Sequence, residues 1–347
     1  MKYEAPWWLP GGNAQTIWAA LQAKRYAVQA PTFRRERWLT PDADFIDVDF
    51  LVGGAAPFTT RSPQAQTKHL AGNAARDARS GTGQPLLVIF HGLEGSSQSH
   101  YAQAFADVAT ERGWACCVPH FRGCSGELNH GPRAYHSGDF EEIDWILRRL
   151  QSEHIGPLLV VGISLGGNAV MRWAGEMGSS AAHIVQAVAS VSSPLDLAAG
   201  GWAIGRGFNR LVYTRMFLRS MVPKALEKLD QHPGLFNRAD MLAVRDIYTF
   251  DNIFTAPLHG FKNTDDYYQR ASGKPHMASI AVPALALNAL NDPFIPAWSL
   301  PGPLDINRSV TLWQPAQGGH VGFPAGAFPA HVRAMPGAVA AFLAAHV

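Results

Sequence analysis

Cysteine is scarce in this chain: there are three, Cys116, Cys117 and Cys124, in 347 residues. Two are neighbours inside an apolar run and none falls in a zinc-ligand spacing. A disulfide framework and a structural metal are therefore not expected, and the usage fits a reducing compartment. An excess of charge is missing as well. Lys and Arg number 29 against 27 Asp and Glu, a formal net charge of +2. That balance gives no electrostatic reason to expect nucleic acid or an anionic membrane as the main partner, although a local patch can hide in a neutral total. Long hydrophobic runs are also lacking. No stretch of eighteen consecutive apolar residues occurs, so no transmembrane helix is expected. The first residues, MKYEAPWWLPGG, lack the basic and then apolar pattern of a secretory signal. These absences together lead to the expectation of a soluble, cytoplasmic protein. No internal repeat or heptad is visible, and nothing sets an oligomeric state.

What is present is an ordinary globular composition. Apolar residues make up 47% and charged residues 16%, enough for a sizeable core. The length suits one large domain with an insertion, or two domains. Residues 45–52 (FIDVDFLV) alternate as a half-exposed strand does, whereas 86–90 (LLVIF), 114–121 (WACCVPHF) and 158–162 (LLVVG) read as buried strands. Further strand-like runs lie at 184–191, 282–289 and 309–313. Helical spacing marks 101–108, the set Ile143, Ile146, Leu147 and Leu150, about 166–177, and about 335–345. Apolar strands alternating with helices predict a mostly parallel, doubly wound α/β sheet covered on both faces. Residues 63–84 are small and polar and read as a mobile loop. Residues 194–280 are too long for a connection and rich in aromatics, including Trp202, Phe208, Tyr213, Phe217, Phe250 and Phe254. They are expected to form a helical cap between late core strands, leaving 1–193 and 281–347 as the core; a second packing layer without a substrate role is the alternative.

The chemistry centres on Gly162-Ile163-Ser164-Leu165-Gly166. In a chain with 33 glycines, G-x-S-x-G arises by composition about one time in six. Its context is more specific: it follows a buried strand and opens a helix, where a strained turn presents a serine hydroxyl and small neighbours avoid clashes. A serine needs a general base to become nucleophilic. The run SVTLWQPAQ leads into Gly318-Gly319-His320-Val321-Gly322, a loop after the last strand, which makes His320 the candidate base. The run VPALALNAL ends at Asn291-Asp292-Pro293, so Asp292 is the candidate orienting acid, with Asp251 and Asp305 as competitors. The order Ser, Asp, His is that of the α/β-hydrolase arrangement. Oxyanion donors are expected from the N–H groups of Leu165 and of Leu93, the latter in the loop His91-Gly92-Leu93-Glu94-Gly95 after the strand LLVIF. His91 reads as a structural residue of that loop. The polar segments 121–127 and 135–138 either line a pocket or fix loops, the second being preferred. A metal held by His91, His120 and His320 is disfavoured because no carboxylate or i,i+4 histidine pattern completes it. No cofactor is called for.

Several longer segments carry a resemblance: PWWLPGGNAQTIW at 6–18, HGLEGSSQSHY at 91–101, FRGCSGELN at 121–129, YHSGD at 135–139, GISLGGNAV at 162–170, FTAPLHGFKNTDDYY at 254–268, NDPFIP at 291–296 and GGHVGF at 318–323. Together they resemble the YheT-like branch of the α/β hydrolases, related to the eukaryotic abhydrolase-domain lipid esterases. The resemblance implies an α/β-hydrolase fold, a triad at Ser164, Asp292 and His320, and small-molecule ester substrates. Some relatives act on acylglycerols or phospholipids, and others pass acyl groups to alcohols. The expectation is therefore a carboxylic-ester hydrolase working through an acyl-enzyme on Ser164, with an acyltransferase as alternative and a non-catalytic scaffold as the remaining one. Asn291 stands where an aspartate is often found, and His120 where an asparagine is. The N-terminal hydrophobic helix of membrane-anchored relatives is not seen in this sequence.

Overall fold

The computed structural model describes residues 2–53 and 83–347. The loop expected at 63–84 lies, except for its last two residues, outside the described residues. Eight strands form one sheet: β1 (Thr32–Leu39), β2 (Phe45–Val52), β3 (Leu86–Phe90), β4 (Ala115–Pro119), β5 (Leu158–Ile163), β6 (Ala187–Val191), β7 (Ala284–Leu287) and β8 (Val310–Trp313). Their order is β1-β2-β4-β3-β5-β6-β7-β8. The pairings β1 with β2 and β2 with β4 are antiparallel, and all others are parallel.

The apolar runs form strands because the sheet is covered on both sides. Along β3, Leu86, Val88 and Phe90 enter one core while Leu87 and Ile89 enter the other. The first core is closed by α3 (Phe140–Glu153) and α4 (Leu165–Met177), the second by α2 (His100–Glu111) and α8 (Ala334–Ala344). Helix α3 shows how the sequence specifies this. Asp139 caps its start by accepting from the Glu142 N–H, and Ile143, Ile146, Leu147 and Leu150 recur at helical spacing on the buried face. Each of those four side chains contributes about 2 kcal/mol by burial.

One expectation is corrected here. Residues 45–52 form a strand, but Phe45 through Phe50 are all buried, so β2 is not half-exposed. Asp47 and Asp49, which read as solvent-facing, are enclosed by the edge strand β1. Arg37 pairs with Asp47 at 2.8 Å and Arg35 with Asp49 at 2.7 Å. Asp49 also accepts from Ser97 and from His120 Nε2. Burial alone raises the pKa of Asp49, yet the bonds from Arg35, His120 and Ser97 outweigh it and hold the carboxylate well below its usual range. Buried carboxylates satisfied by such bonds leave the alternation of the sequence intact while the exposure vanishes.

Two elements had no counterpart in the sequence reading: β1 and the N-terminal helix α1 (Gly11–Leu21). Between β6 and β7 the chain leaves the sheet for α5 (Leu197–Ile204), α6 (Arg215–Gln231) and α7 (Thr264–Ala271), joined by shorter turns. This segment has a small core of its own, built on Met221, Ala225, Met241, Val244, Phe250 and Phe254. Leu93 and Ala134 from the sheet's loops pack against it. Among the described residues no helix is long and apolar enough to cross a membrane.

Candidate active site

Ser164 follows β5 and precedes α4 in a backbone conformation that side chains rarely adopt, φ 52° and ψ −117°. The turn closes only because its neighbours lack side chains. A Cβ on Gly166 would stand 2.5 Å from the carbonyl oxygens of Phe90 and His91, and one on Gly162 would stand 2.5 Å from the Gly166 carbonyl. The strain is thus held in place by the β3–β5 pairing and the start of α4.

The structure brings three of the singled-out side chains together. His320 Nε2 lies 3.0 Å from Ser164 Oγ. His320 Nδ1 lies 2.9 and 3.1 Å from the two carboxylate oxygens of Asp292. Asp292 follows β7, and its Oδ1 also accepts from the Phe294 N–H, which fixes the carboxylate. The Phe294 ring packs on the imidazole, with centroids 4.2 Å apart. With Nδ1–H donated to the carboxylate, Nε2 is left to accept a proton from the serine hydroxyl. The competing acids take no part in this bond chain. Asp305 accepts from the Gly302 N–H and faces Lys274. Asp251 accepts from Thr255 and Tyr268.

The loop after β3 runs against the serine, since a Cβ on Gly92 would touch Ser164 Cβ at 3.2 Å. The amides on either side of Leu93 are occupied. Gly92 N–H donates to the Tyr101 hydroxyl at 2.9 Å, and Glu94 N–H to the Tyr135 hydroxyl at 3.1 Å. Leu93 and Leu165 themselves border the same cavity as Ser164. Tyr135 in turn donates to Glu94 Oε1, whose other oxygen pairs with Lys224 at 2.8 Å. Tyr135 belongs to the polar segment 135–138, whereas the role of the Tyr101 hydroxyl had no counterpart in the sequence. Tyr101 read there as an apolar helix position, and its hydroxyl gave no periodic signal.

His91 is fully buried, and both ring nitrogens are engaged. Nδ1 faces the Gly92 carbonyl at 2.8 Å, and Nε2 accepts from the Phe121 N–H at 3.0 Å. Burial, with the neighbouring His120 adding to it, pushes its pKa down to about 3, so the ring is neutral. His120 is bound to Asp49 instead. Among the described residues no group of three or more His, Cys, Asp or Glu could hold a metal ion. Burial pushes the Cys124 thiol up to about 12, which leaves it without thiolate character near neutrality. The polar segments divide between roles. The buried Arg122 binds Asp44 and Glu142 in the interior and the exposed Asp42, and Arg122, Gly123, Tyr135, His136 and Ser137 also border the cavity.

The His320 loop is braced by α1, a contribution the sequence did not disclose. Thr16 Oγ1 accepts from the His320 N–H at 2.8 Å. Gln15 is wholly buried; its Oε1 accepts from the Gly318 N–H and from Asn291 Nδ2, and its Nε2 donates to the Leu9 carbonyl. Asn291 Oδ1 accepts from the Gly319 N–H, so an amide suffices at that position. The Val321 N–H donates to Ser192, and its carbonyl faces His100 Nε2.

A cavity opens over Ser164 and His320. One wall comes from the sheet's loops, and the facing wall from the segment between β6 and β7, notably Ile204, Phe217, Met221, Phe250 and Phe254.

Comparison with known proteins agrees with this fold. The family described as alpha/beta hydrolase fold matches residues 85–327. YheT of Escherichia coli (strain K12), which bears a provisional esterase name, is 38% identical over 294 residues, covering 84% of this chain and 78% of that protein. The chain is an α/β hydrolase of the YheT-like branch. This hydrolase is also similar to mouse phospholipase ABHD3, with 30% identity over 252 residues, 71% of the chain and 60% of the relative. Monoacylglycerol lipase of Saccharomyces cerevisiae is 29% identical over 250 residues, 69% of the chain and 55% of the relative. The hydrolase thus spans somewhat over half the length of those two. Among solved structures, the Pyrococcus furiosus esterase Pf2001 matches with a TM-score of 0.52 at 13% identity, covering 91% of this chain and 93% of that one. Est1E from Butyrivibrio proteoclasticus matches with 0.52 at 14%, covering 90% and 98%. At such identities these two bear on the fold alone.

Proposed function

We propose that this α/β hydrolase cleaves carboxylic esters of apolar acyl groups through an acyl-enzyme on Ser164. The observation that carries the reading is the continuous bond chain Ser164 Oγ–His320 Nε2 and His320 Nδ1–Asp292 at the floor of a largely apolar cavity. In this reading His320 takes the hydroxyl proton as Ser164 attacks the acyl carbon, and Asp292 stabilises the imidazolium without itself being protonated. The oxyanion is received by the Leu93 and Leu165 amides, each donor lowering the barrier by about 3–4 kcal/mol. The imidazolium then protonates the leaving alkoxide. Water, deprotonated by the same imidazole, releases the acid and restores the serine. The segment 194–280 acts as a cap whose inner face holds the acyl chain.

The esterase and lipase names of the relatives support ester chemistry. Hydrolysis of a series of p-nitrophenyl esters tests the proposal. Activity is expected to rise from acetate to longer acyl chains before falling, with Ser164→Ala reducing kcat by about 10⁴-fold or more and Asp292→Asn by about 10⁴-fold. A steady decline from acetate onward contradicts the apolar acyl site, and an unchanged rate in Ser164→Ala contradicts the nucleophile.

A further inference from the structure

The overall charge balance conceals a one-signed stretch. From Leu197 to Leu226 the sequence holds Arg206, Arg210, Arg215, Arg219 and Lys224 and no acidic residue. All four arginines are exposed. Among the described residues, the only carboxylate paired with any of these five cations is Glu94, which binds Lys224. Interleaved with them are apolar side chains that water does not favour: Trp202 is 53% exposed, Phe208 50%, Leu211 58% and Met216 53%. The Arg206 guanidinium lies 4.3 Å over the Trp202 ring, which presents both as one patch.

The pattern is periodic. Positions 208, 211, 212, 215, 216 and 219 recur every three or four residues and are all exposed, while Tyr213 and Thr214 are buried. A π-helical turn at Arg210–Thr214 joins the two helical stretches. The inward side of the same segment, Gly200, Gly201, Ile204 and Phe217, walls the cavity above Ser164. The outer face is thus a rim of aromatic and aliphatic groups set among arginines, directly behind the cavity wall.

We infer that this face docks on a lipid surface bearing anionic headgroups. Arginines at the phosphate level and apolar side chains inserted below them are the composition by which a helix lies in an interface. A second copy of the chain is a poor occupant, because a two-fold contact through this patch would set cations against cations with no carboxylate to relieve them. The docking goes beyond the ester reading. It places the cavity next to the bilayer, and its readout needs no chemistry.

The test is co-sedimentation of the full chain with vesicles of phosphatidylcholine and with vesicles of phosphatidylcholine and phosphatidylglycerol in equal parts. Binding is expected to the mixed vesicles only and to be released as salt is raised. Arg210→Gln with Arg215→Gln is expected to weaken it about thirtyfold, from a contribution of about fivefold or slightly more per arginine. Phe208→Ser with Leu211→Ser is expected to weaken it about tenfold. Melting temperatures and hydrolysis of a soluble short-chain ester are expected to be unchanged in both pairs. Loss of soluble-ester activity in the unaltered protein contradicts the ester reading while leaving the vesicle result to stand. Equal binding to both vesicle types, no binding to either, or a patch substitution that instead breaks up a dimer in sedimentation velocity overturns the docking inference.

Discussion

Asp251 shows how one residue can sit beside a reactive centre without belonging to it. It borders the cavity, is buried, and is held by Thr255 and Tyr268. Burial raises its pKa to about 6 against those two bonds, which lower it. The sign of the consequence follows from linkage. Between about pH 4 and pH 6 the folded chain binds more protons at this carboxyl than the unfolded chain does, so stability falls as pH rises through that window. The difference from an ordinary aspartate corresponds to about 3 kcal/mol, complete by about pH 7. Asp251→Asn removes the ionisation. Melting temperatures measured from pH 4 to pH 7 are expected to show the unaltered protein losing ground to the variant as pH rises, and parallel curves contradict the assignment. The same carboxyl could have been read from sequence as an orienting acid. Its environment, and not its residue type, separates it from Asp292.

At the scale of elements, the helix that matters most for His320 is the one least legible in the sequence. Helix α1 reaches the last loop through Thr16 and Gln15, across about three hundred residues of chain. Thr16 is therefore a positioning residue. Thr16→Val removes the acceptor for the His320 N–H at nearly constant volume. It is expected to lower kcat about tenfold with little change in KM, and Thr16→Ser is expected to restore it. An effect on melting temperature alone, with kcat intact, contradicts this role.

By contrast, the convergence of Ser164, Asp292 and His320 was legible because each lies in the loop that follows a strand of the sheet, a signal contained within about ten residues. Helix α1 has no such local signal; its purpose lies in partners distant in sequence. The strand at 45–52 misled for a related reason. Alternating aspartates look solvated until β1 and His120 supply their partners.

For the molecule as a whole, the excursion between β6 and β7 presents two unlike faces. Its inner face closes an apolar cavity over Ser164, and its outer face gathers exposed arginines and apolar groups. Net charge concealed that asymmetry, because a sum over the chain carries no information about position. The aromatic content of the segment was visible in the sequence; which aromatics turn inward and which outward was not, since the π-helical turns at Arg210–Thr214 and Asp251–Thr255 shift the helical phase.

The central claim, that Ser164 is the nucleophile activated by His320, is tested most directly by a fluorophosphonate probe followed by mass spectrometry of the labelled peptides. One adduct is predicted, on Ser164, absent in Ser164→Ala and strongly slowed in His320→Ala. An adduct on another residue, or labelling of Ser164 at an undiminished rate without His320, would contradict it.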